Sequence, residues 1–431
     1  MRHSTKKINK TQAARIALIK KITPLVKKHV ENFGAPDSVT VGWPAYDEKE
    51  LLSAMGALLD LRLSQGPYVR EFERRCAAYV GAPDAVAVNS GSSANLLVYT
   101  WLIQSGAAEP GDEVLVPATT FSTVASPIIQ VGLIPVYVDV EMNSWNIDPR
   151  EIEKAITPKT RAIMAVHTLG NPANMPEIMR IARKHKLIVI EDCCEAHGAR
   201  IGKKIVGSFG DISTLSFFVA HNITTGEGGM IFTRTKEQRA IIASLREFGR
   251  LPPEALSKRV FNDPVLGAYD ARYIFTTIGY NVRMTDIAGA LGVEQIKKLD
   301  RLNARRLKVV HKYLDILKKY DAFIQPPEIR SGTFHSFYGF GFAVRPHAPF
   351  KRQELVDFLE ARGIETRAVF AGCIPDQPGF RLAPGRSYGK LPVARSIRDN
   401  GMFIGCHPAL TARHIQIVRT AFADFFASIK K

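Results

Sequence analysis

Short apolar runs and helically spaced apolar positions alternate along this chain. The runs Ala85 to Asn89, Glu113 to Val116, Val136 to Val140, Ala162 to Val166 and Leu187 to Glu191 predict strands. Between them the spacing turns to three and four. That predicts helices over Leu51 to Tyr79 (broken at Gly66-Pro67), after Ser93 through Ala94, Leu96 and Leu97, around Val124 to Val131, and over Pro176 to His185. Strands that alternate with helices predict an α/β fold, a parallel sheet covered on both faces. Ligands of such sheets sit at the carboxyl ends of strands. Three polar motifs fall there: Ser90 to Ser93, Pro117 to Phe121, and Asp192 to Glu195. Farther on, one long helix is predicted from Asp286 to about Leu317. A second alternation follows, with a strand near Ser336 to Val344, a helix over Phe350 to Arg362, a strand near Glu365 to Val369 and a helix over Thr411 to Ser428.

At 431 residues the chain exceeds what one core fills, so two lobes are expected. The expected division is a basic helical extension and linker over 1–40, a large domain over 41–295, and a linker helix with a small C-terminal domain over 296–431. The net charge of +17 (58 Lys plus Arg against 41 Asp plus Glu) is partly local. Lys6, Lys7, Lys10, Arg15, Lys20, Lys21, Lys27 and Lys28 crowd the start, where Leu18, Ile22, Leu25 and Val26 keep helical spacing. An amphipathic helix lying on the main body is expected, followed by a linker from Asn32 to Val41. Nucleic acid is not an expected partner, because no aromatic precedes Phe33 and no zinc-finger spacing occurs. No apolar run reaches membrane length and no apolar signal core follows the basic start. Five cysteines without regular spacing argue against a disulfide framework and for a reducing cytoplasm.

The motifs carry chemistry of a particular kind. Ser90-Gly91-Ser92-Ser93 joins a strand to a helix start, where unpaired N–H groups and the helix dipole suit a phosphate. Asp192 ends a buried strand, and a carboxylate there pairs well with a protonated ring nitrogen. Phe121 offers a flat face at another strand end. Ser216 precedes a glycine-rich stretch (Gly226, Gly228, Gly229) that permits tight backbone paths. Taken singly, each has a plainer reading: caps and turns for the serines, a helix N-cap for Asp192, core packing for Phe121.

Taken in order, these segments resemble the DegT/DnrJ/EryC1/StrS family, the fold-type I sugar aminotransferases and their dehydratase relatives. The resemblance is carried by Asn89 to Asn95, Gly111 to Val114, Ile134 to Val140, His167 to Pro172, Glu191 to Glu195, Leu215 to Gly229 and Gly279 to Asp286. It implies a fold-type I aminotransferase-like architecture with pyridoxal or pyridoxamine phosphate as cofactor. Gly91, Ser92 and Ser216 would hold its phosphate, Phe121 would stack on its ring, Asp192 would pair with its nitrogen and Glu195 would reach its hydroxyl. Asn281 would reach the neighbouring subunit's cofactor, which implies a homodimer with shared active sites.

The family's aminotransferases anchor the cofactor through a lysine, and here His221 stands in its place. An imidazole forms no Schiff base, so the cofactor is expected to bind without a covalent link. The branch most similar is the sugar-nucleotide 3-dehydratases. The Leu169-Gly170-Asn171-Pro172 run, Ala220-His221 and Gly363 to Gly372 point there. The expected activity is loss of the C3 hydroxyl from a 4-keto-6-deoxy sugar nucleotide, with His221 as acid and base and glutamate as amine donor. Arg250, Arg272, Arg283 and Arg367 are candidates, by position, for the substrate diphosphate. The CDP-sugar enzymes of this branch hold a [2Fe–2S] cluster through four cysteines. No cysteine lies between Cys194 and Cys373, so no cluster and no other metal is expected, as in the GDP-sugar enzymes of the branch. Two other readings remain open at this point: an aminotransferase-like protein, and a non-catalytic binding protein on the same fold.

Overall fold

The protein is described here by a computed structural model covering residues 2–251, 260–265 and 267–429. Its centre is an eight-stranded sheet. In spatial order its strands are Asp84–Val88, Gly229–Thr233, Ile212–Ser216, Ile188–Asp192, Thr160–Val166, Glu113–Pro117, Ile134–Val138 and Arg386–Ser387. Every neighbouring pair is parallel except those made by Gly229–Thr233, which runs against both of its neighbours. All five residues of Glu113–Pro117 and of Ile212–Ser216 are buried, as expected of a sheet covered on both faces. Each of the five strands expected in this region forms, within two residues at either end.

Local chemistry sets the helix limits. Asp47 caps Glu48–Leu59, accepting from the Lys49 N–H, while Glu50 reaches back to the Asp47 N–H. Pro67 opens the next helix, Pro67–Val80, and Gly81 closes it at φ 79°. The basic N-terminal helix runs from Arg2 to Phe33 and meets the body where Arg15 pairs with Asp60.

The single long helix expected from Asp286 to Leu317 is instead two, Asp286–Ile296 and Leu299–Leu317. The break falls at Lys297-Lys298, and tertiary ion pairs explain it. Lys298 is buried with its ammonium 2.7 Å from Asp47 and 2.6 Å from Glu50, which is itself fully buried. Gln295 donates to Glu50 at 2.8 Å from the other side of the break. The apolar periodicity passes through this point unchanged, so it gave no sign of the interruption.

A second, antiparallel sheet of Ile324–Gln325, Phe340–Val344, Gly401–Ile404 and Thr366–Ala368 carries its own core, in which Phe350, Phe422, Phe425 and Phe426 pack with the helices of the C-terminal region. The chain between the first helix and Glu48 ties the two regions together. Val39 bridges to Ile364, the Val41 N–H donates to Glu365 at 2.7 Å, and Tyr46 donates to the Thr224 carbonyl at 3.1 Å. Among the described residues, no helix is long and apolar enough to cross a membrane.

Behind the sheet edge, Arg246 is buried against Glu73 at 2.9 Å and also donates to the Ala87 carbonyl at 3.1 Å. The Ala87 N–H donates to the same carboxylate at 2.8 Å. Arg246→Met strands the Glu73 carboxylate in the core. The expected loss of unfolding free energy is ~3–5 kcal/mol, measured by urea denaturation. A loss below ~1 kcal/mol would show that this pair is solvated rather than buried.

Candidate functional site

The carboxyl ends of the parallel strands open into a cavity of about 340 Å³. Gly91, Ser92, Phe121, Asp192, Glu195, Ser216 and His221, scattered over 130 positions of sequence, all line it. Segments at five strand ends of the large sheet and two segments next to the smaller sheet, at Tyr338 and Phe370, converge there, which is why residues so far apart meet.

Ser90 ends the first strand and caps Gly91–Gln104, accepting from the Ser93 N–H at 3.1 Å. The start of that helix faces the cavity with its unpaired N–H groups, an anion cradle. Two glycines keep it open. A Cβ on Gly91 would lie 2.6 Å from the Ser216 Cβ, and one on Gly229 would lie 2.2 Å from the Ser90 carbonyl oxygen. Asp192 is buried at the other end. Its Oδ2 accepts from Asn95 at 2.9 Å and its Oδ1 from the Cys194 N–H at 3.0 Å. Each oxygen keeps a lone pair for a cationic ring N–H. Phe121 is 55% exposed, its free face turned to the cavity. Glu195 accepts from the Leu169 N–H at 2.8 Å. Burial, against the one backbone N–H it accepts, pushes its carboxyl well above the usual carboxylate range.

His221 lies in the segment between Ile212–Ser216 and Gly229–Thr233, and that segment is braced from several sides. Asn222 donates to Asn303 at 2.8 Å and to the Ser336 carbonyl at 2.9 Å, and the Thr224 N–H donates to Gln295 at 3.2 Å. The fully buried Arg306 donates to the carbonyls of Phe337 (3.3 Å), Tyr338 (3.1 Å) and His221 (3.4 Å). The His221 ring sits among aromatic neighbours, 5.1 Å from Tyr338 and 5.7 Å from His197 between centroids, and its Nδ1 is buried without a partner. Burial, with help from His197 and Arg306, holds its pKa well below the ordinary histidine value. The imidazole is therefore a neutral base at pH 7.

These features suit pyridoxal or pyridoxamine phosphate: an anion cradle, an acceptor for a ring N–H, a second carboxyl, a flat ring and a partnerless buried nitrogen, in a cavity of fitting size. Among the described residues, no lysine lines the cavity. A second cavity of about 410 Å³ adjoins the first and shares Phe121, Glu195, Phe218, Tyr338 and Phe370 with it. Arg367 lines this annex, paired with Glu365. The other candidate arginines line neither cavity. Arg250 and Arg283 lie over the Phe248 ring on an exposed aromatic patch, and Arg272 pairs with Asp270. Asn281 also lies outside both cavities, where its side chain accepts from Arg283 at 3.3 Å. Arg283 is nonetheless close to the cradle, since it bridges to Val88 and the Asn89 N–H donates to the Val282 carbonyl at 2.9 Å.

The five cysteines are free, and only Cys194 reaches the cavity among them. His167, Glu191 and Cys193 come close enough to share an ion. Their atoms already have partners: His167 accepts from the Ala173 N–H at 3.0 Å, and Glu191 accepts N–H groups of Gly207, Phe209 and Gly210 at 2.6–2.8 Å. The part of the cysteine-free stretch that falls on 252–259 lies outside the described residues. Sequence reasoning missed Tyr338, Phe218, His197 and Asn95. Tyr338 and His197 lie outside the segments that carry the resemblance, while Phe218 and Asn95 sit inside two of them.

Comparison with known proteins follows this geometry. The profile of the DegT/DnrJ/EryC1/StrS aminotransferase family matches residues 45–423. The chain is 39% identical over 393 residues to the lipopolysaccharide biosynthesis protein RfbH of Salmonella typhimurium, covering 88% of this chain and 89% of that one. It is 37% identical over 396 residues to the dTDP-4-dehydro-2,6-dideoxy-D-glucose 3-dehydratase of Saccharopolyspora spinosa, covering 88% and 85%. Its fold matches a GDP-4-keto-6-deoxymannose-3-dehydratase crystallised with a trapped PLP–glutamate geminal diamine, with a TM-score of 0.81, 31% identity and coverage of 88% and 99%. The architecture is thus that of the pyridoxal-phosphate aminotransferase-like enzymes.

The buried histidines make a pH prediction. His335 is pushed down to about 3 by burial, and its Nδ1 accepts from the Phe337 N–H at 3.0 Å. In the unfolded chain it titrates near ~6.5. Between that value and about 3 the unfolded state takes up a proton that the native state refuses, so stability falls as pH falls. His335→Asn keeps an acceptor and removes the titration. The stability difference between variant and parent should shift toward the variant by ~1.4 kcal/mol per pH unit below pH 6.5. Urea unfolding at pH 7 and pH 5 measures it, and an unchanged difference would mean that the ring is solvated.

Proposed function

The chain belongs to the DegT/DnrJ/EryC1/StrS aminotransferase family, and from there we propose that it is a pyridoxamine-phosphate-dependent sugar-nucleotide 3-dehydratase. Its substrate is a 4-keto-6-deoxy sugar nucleotide, from which it removes the C3 hydroxyl in deoxysugar biosynthesis of the kind that builds lipopolysaccharide O-antigen. The observation that carries this reading is His221: a neutral, half-buried imidazole occupies the position of the family's anchoring lysine, in a cavity whose other cofactor groups are intact. The names of the 3-dehydratase relatives support it.

In this reading Gly91, Ser92 and Ser216 bind the cofactor phosphate, Phe121 stacks on the ring, Asp192 keeps the ring nitrogen protonated and Glu195 donates to the ring hydroxyl. Bound pyridoxamine phosphate supplies an amine for the C4 ketone and a cationic ring that accepts electron pairs. His221 takes a proton from the C4′ carbon and, once protonated, delivers one to the departing C3 oxygen. A free lysine would be protonated near neutral pH and unable to begin this sequence. Phe218, Tyr338 and Phe370 wall off water over the reacting atoms. Glutamate restores the amine form of the cofactor. The annex holds the bound partner of the cofactor, with Arg367 as its cation, and Arg250 and Arg283 serve the diphosphate. Asn281 serves the cofactor of a second subunit in a homodimer, and the enzyme works in the cytoplasm.

The test is incubation with pyridoxamine phosphate and a panel of 4-keto-6-deoxy sugar nucleotides, with mass spectrometry following loss of one oxygen. Parent enzyme should dehydrate at least one of them. His221→Asn should lower kcat by roughly 10²–10⁴ while cofactor affinity is kept. His221→Lys should also abolish dehydration. Dehydration that survives either substitution would overturn the role given to His221. Absence of dehydration across the panel would overturn the activity.

A further inference from the structure

Asn95 is a polar residue in the apolar interior of the helix Gly91–Gln104, fully buried, with its amide entirely committed. Nδ2 donates to Asp192 Oδ2 at 2.9 Å and to the Thr123 carbonyl at 3.1 Å, while Oδ1 accepts from the Thr214 hydroxyl at 2.8 Å. A flipped amide would set its oxygen against both a carboxylate and a carbonyl, so the orientation is determined. Asn is a poor residue for a helix interior, and a buried amide is costly to desolvate. Leucine would fill the position at lower cost if packing were the only demand.

We propose that Asn95 is a positioning residue for the reaction: it holds the Asp192 carboxylate anionic and aimed at the cofactor's ring nitrogen. This rests on the reading of the cavity as a pyridoxamine-phosphate site. One helix then serves both ends of the cofactor, its first turn the phosphate and its second turn, through Asp192, the ring nitrogen. The Cys194 N–H steadies the other carboxylate oxygen at 3.0 Å. A hydrogen bond to the charged form lowers a carboxylate's basicity. Without Asn95 the buried carboxylate becomes a stronger base and draws the shared proton from the ring nitrogen. A neutral ring accepts electrons less well, so proton removal by His221 slows while sugar-nucleotide binding is untouched.

The experiment uses Asn95→Leu and Asn95→Asp, with pyridoxamine phosphate carrying ¹⁵N in its ring. In the parent enzyme the ring nitrogen should resonate as a protonated pyridinium. In Asn95→Leu the signal should move toward neutral pyridine, with kcat reduced roughly 10–100-fold and KM for the sugar nucleotide within about two-fold. In Asn95→Asp the new carboxyl donates to Asp192 only when protonated, so kcat should recover as pH falls. The loss in Asn95→Leu should not depend on pH in that way. A lower Tm with an unmoved ¹⁵N signal and no acid rescue would overturn the proposal and leave Asn95 a packing residue. If Asn95→Leu does not fold, the pH profile of Asn95→Asp decides. Failure of the parent to bind labelled cofactor would refute the cavity assignment, and this proposal with it.

Discussion

The site depends on one buried cation, Arg306, that has no acidic partner among the described residues. Arg306 is placed by the helix Leu299–Leu317, and its two terminal nitrogens donate to the carbonyls of His221, Phe337 and Tyr338 while its Nε is buried without a partner. A desolvated charge seeks strong acceptors at close range, and main-chain carbonyls provide them without a second charge. The outcome is mechanical. The loop bearing the histidine and the segment bearing its aromatic neighbour are drawn toward one point from different regions of the chain. An aspartate in place of those carbonyls would have neutralised Arg306, and its contribution to keeping the imidazole unprotonated would be lost.

The cavity gives three titratable groups three different surroundings. His221 is neutral because burial and nearby positive charge disfavour its cation. Glu195 has its carboxyl pushed upward because burial and Asp192 disfavour its anion, and one backbone N–H compensates only in part. Asp192 holds two N–H donors on opposite oxygens and faces the cavity. An imidazole base and two carboxyl groups with different surroundings therefore stand within one space.

Much of this was legible in the sequence. Strands buried on both faces read as continuous apolar runs, so the large sheet was within reach, whereas the motifs at their ends read singly as caps and turns, and it was the resemblance to the family that singled out Gly91, Ser92, Phe121, Asp192, Glu195, Ser216 and His221. The break at Lys297-Lys298 was not, because the helix pattern records which face is apolar and not where a lysine is recruited by Asp47 and Glu50. Tyr338 was hidden for a similar reason: it belongs to the smaller sheet region, and only long-range packing brings it beside His221. Asn95 stood within a recognised motif, yet its importance appears only when Asp192, Thr123 and Thr214 are seen around it. The arginines were chosen by position along the chain, and only Arg367 lines the annex.

The lone reversed strand has a consequence for how this loop can evolve. Ser216 and Gly229 face each other in the sheet, and the residues between them close back on themselves, Phe217 donating to Gly228 at 2.8 Å and Thr225 to Phe217 at 3.0 Å. The histidine's address is thus counted from both strands at once. One residue added or removed on either side of it displaces the ring by up to ~3.4 Å, farther than a proton can be handed across. Substitutions here are negotiable; changes of length are not.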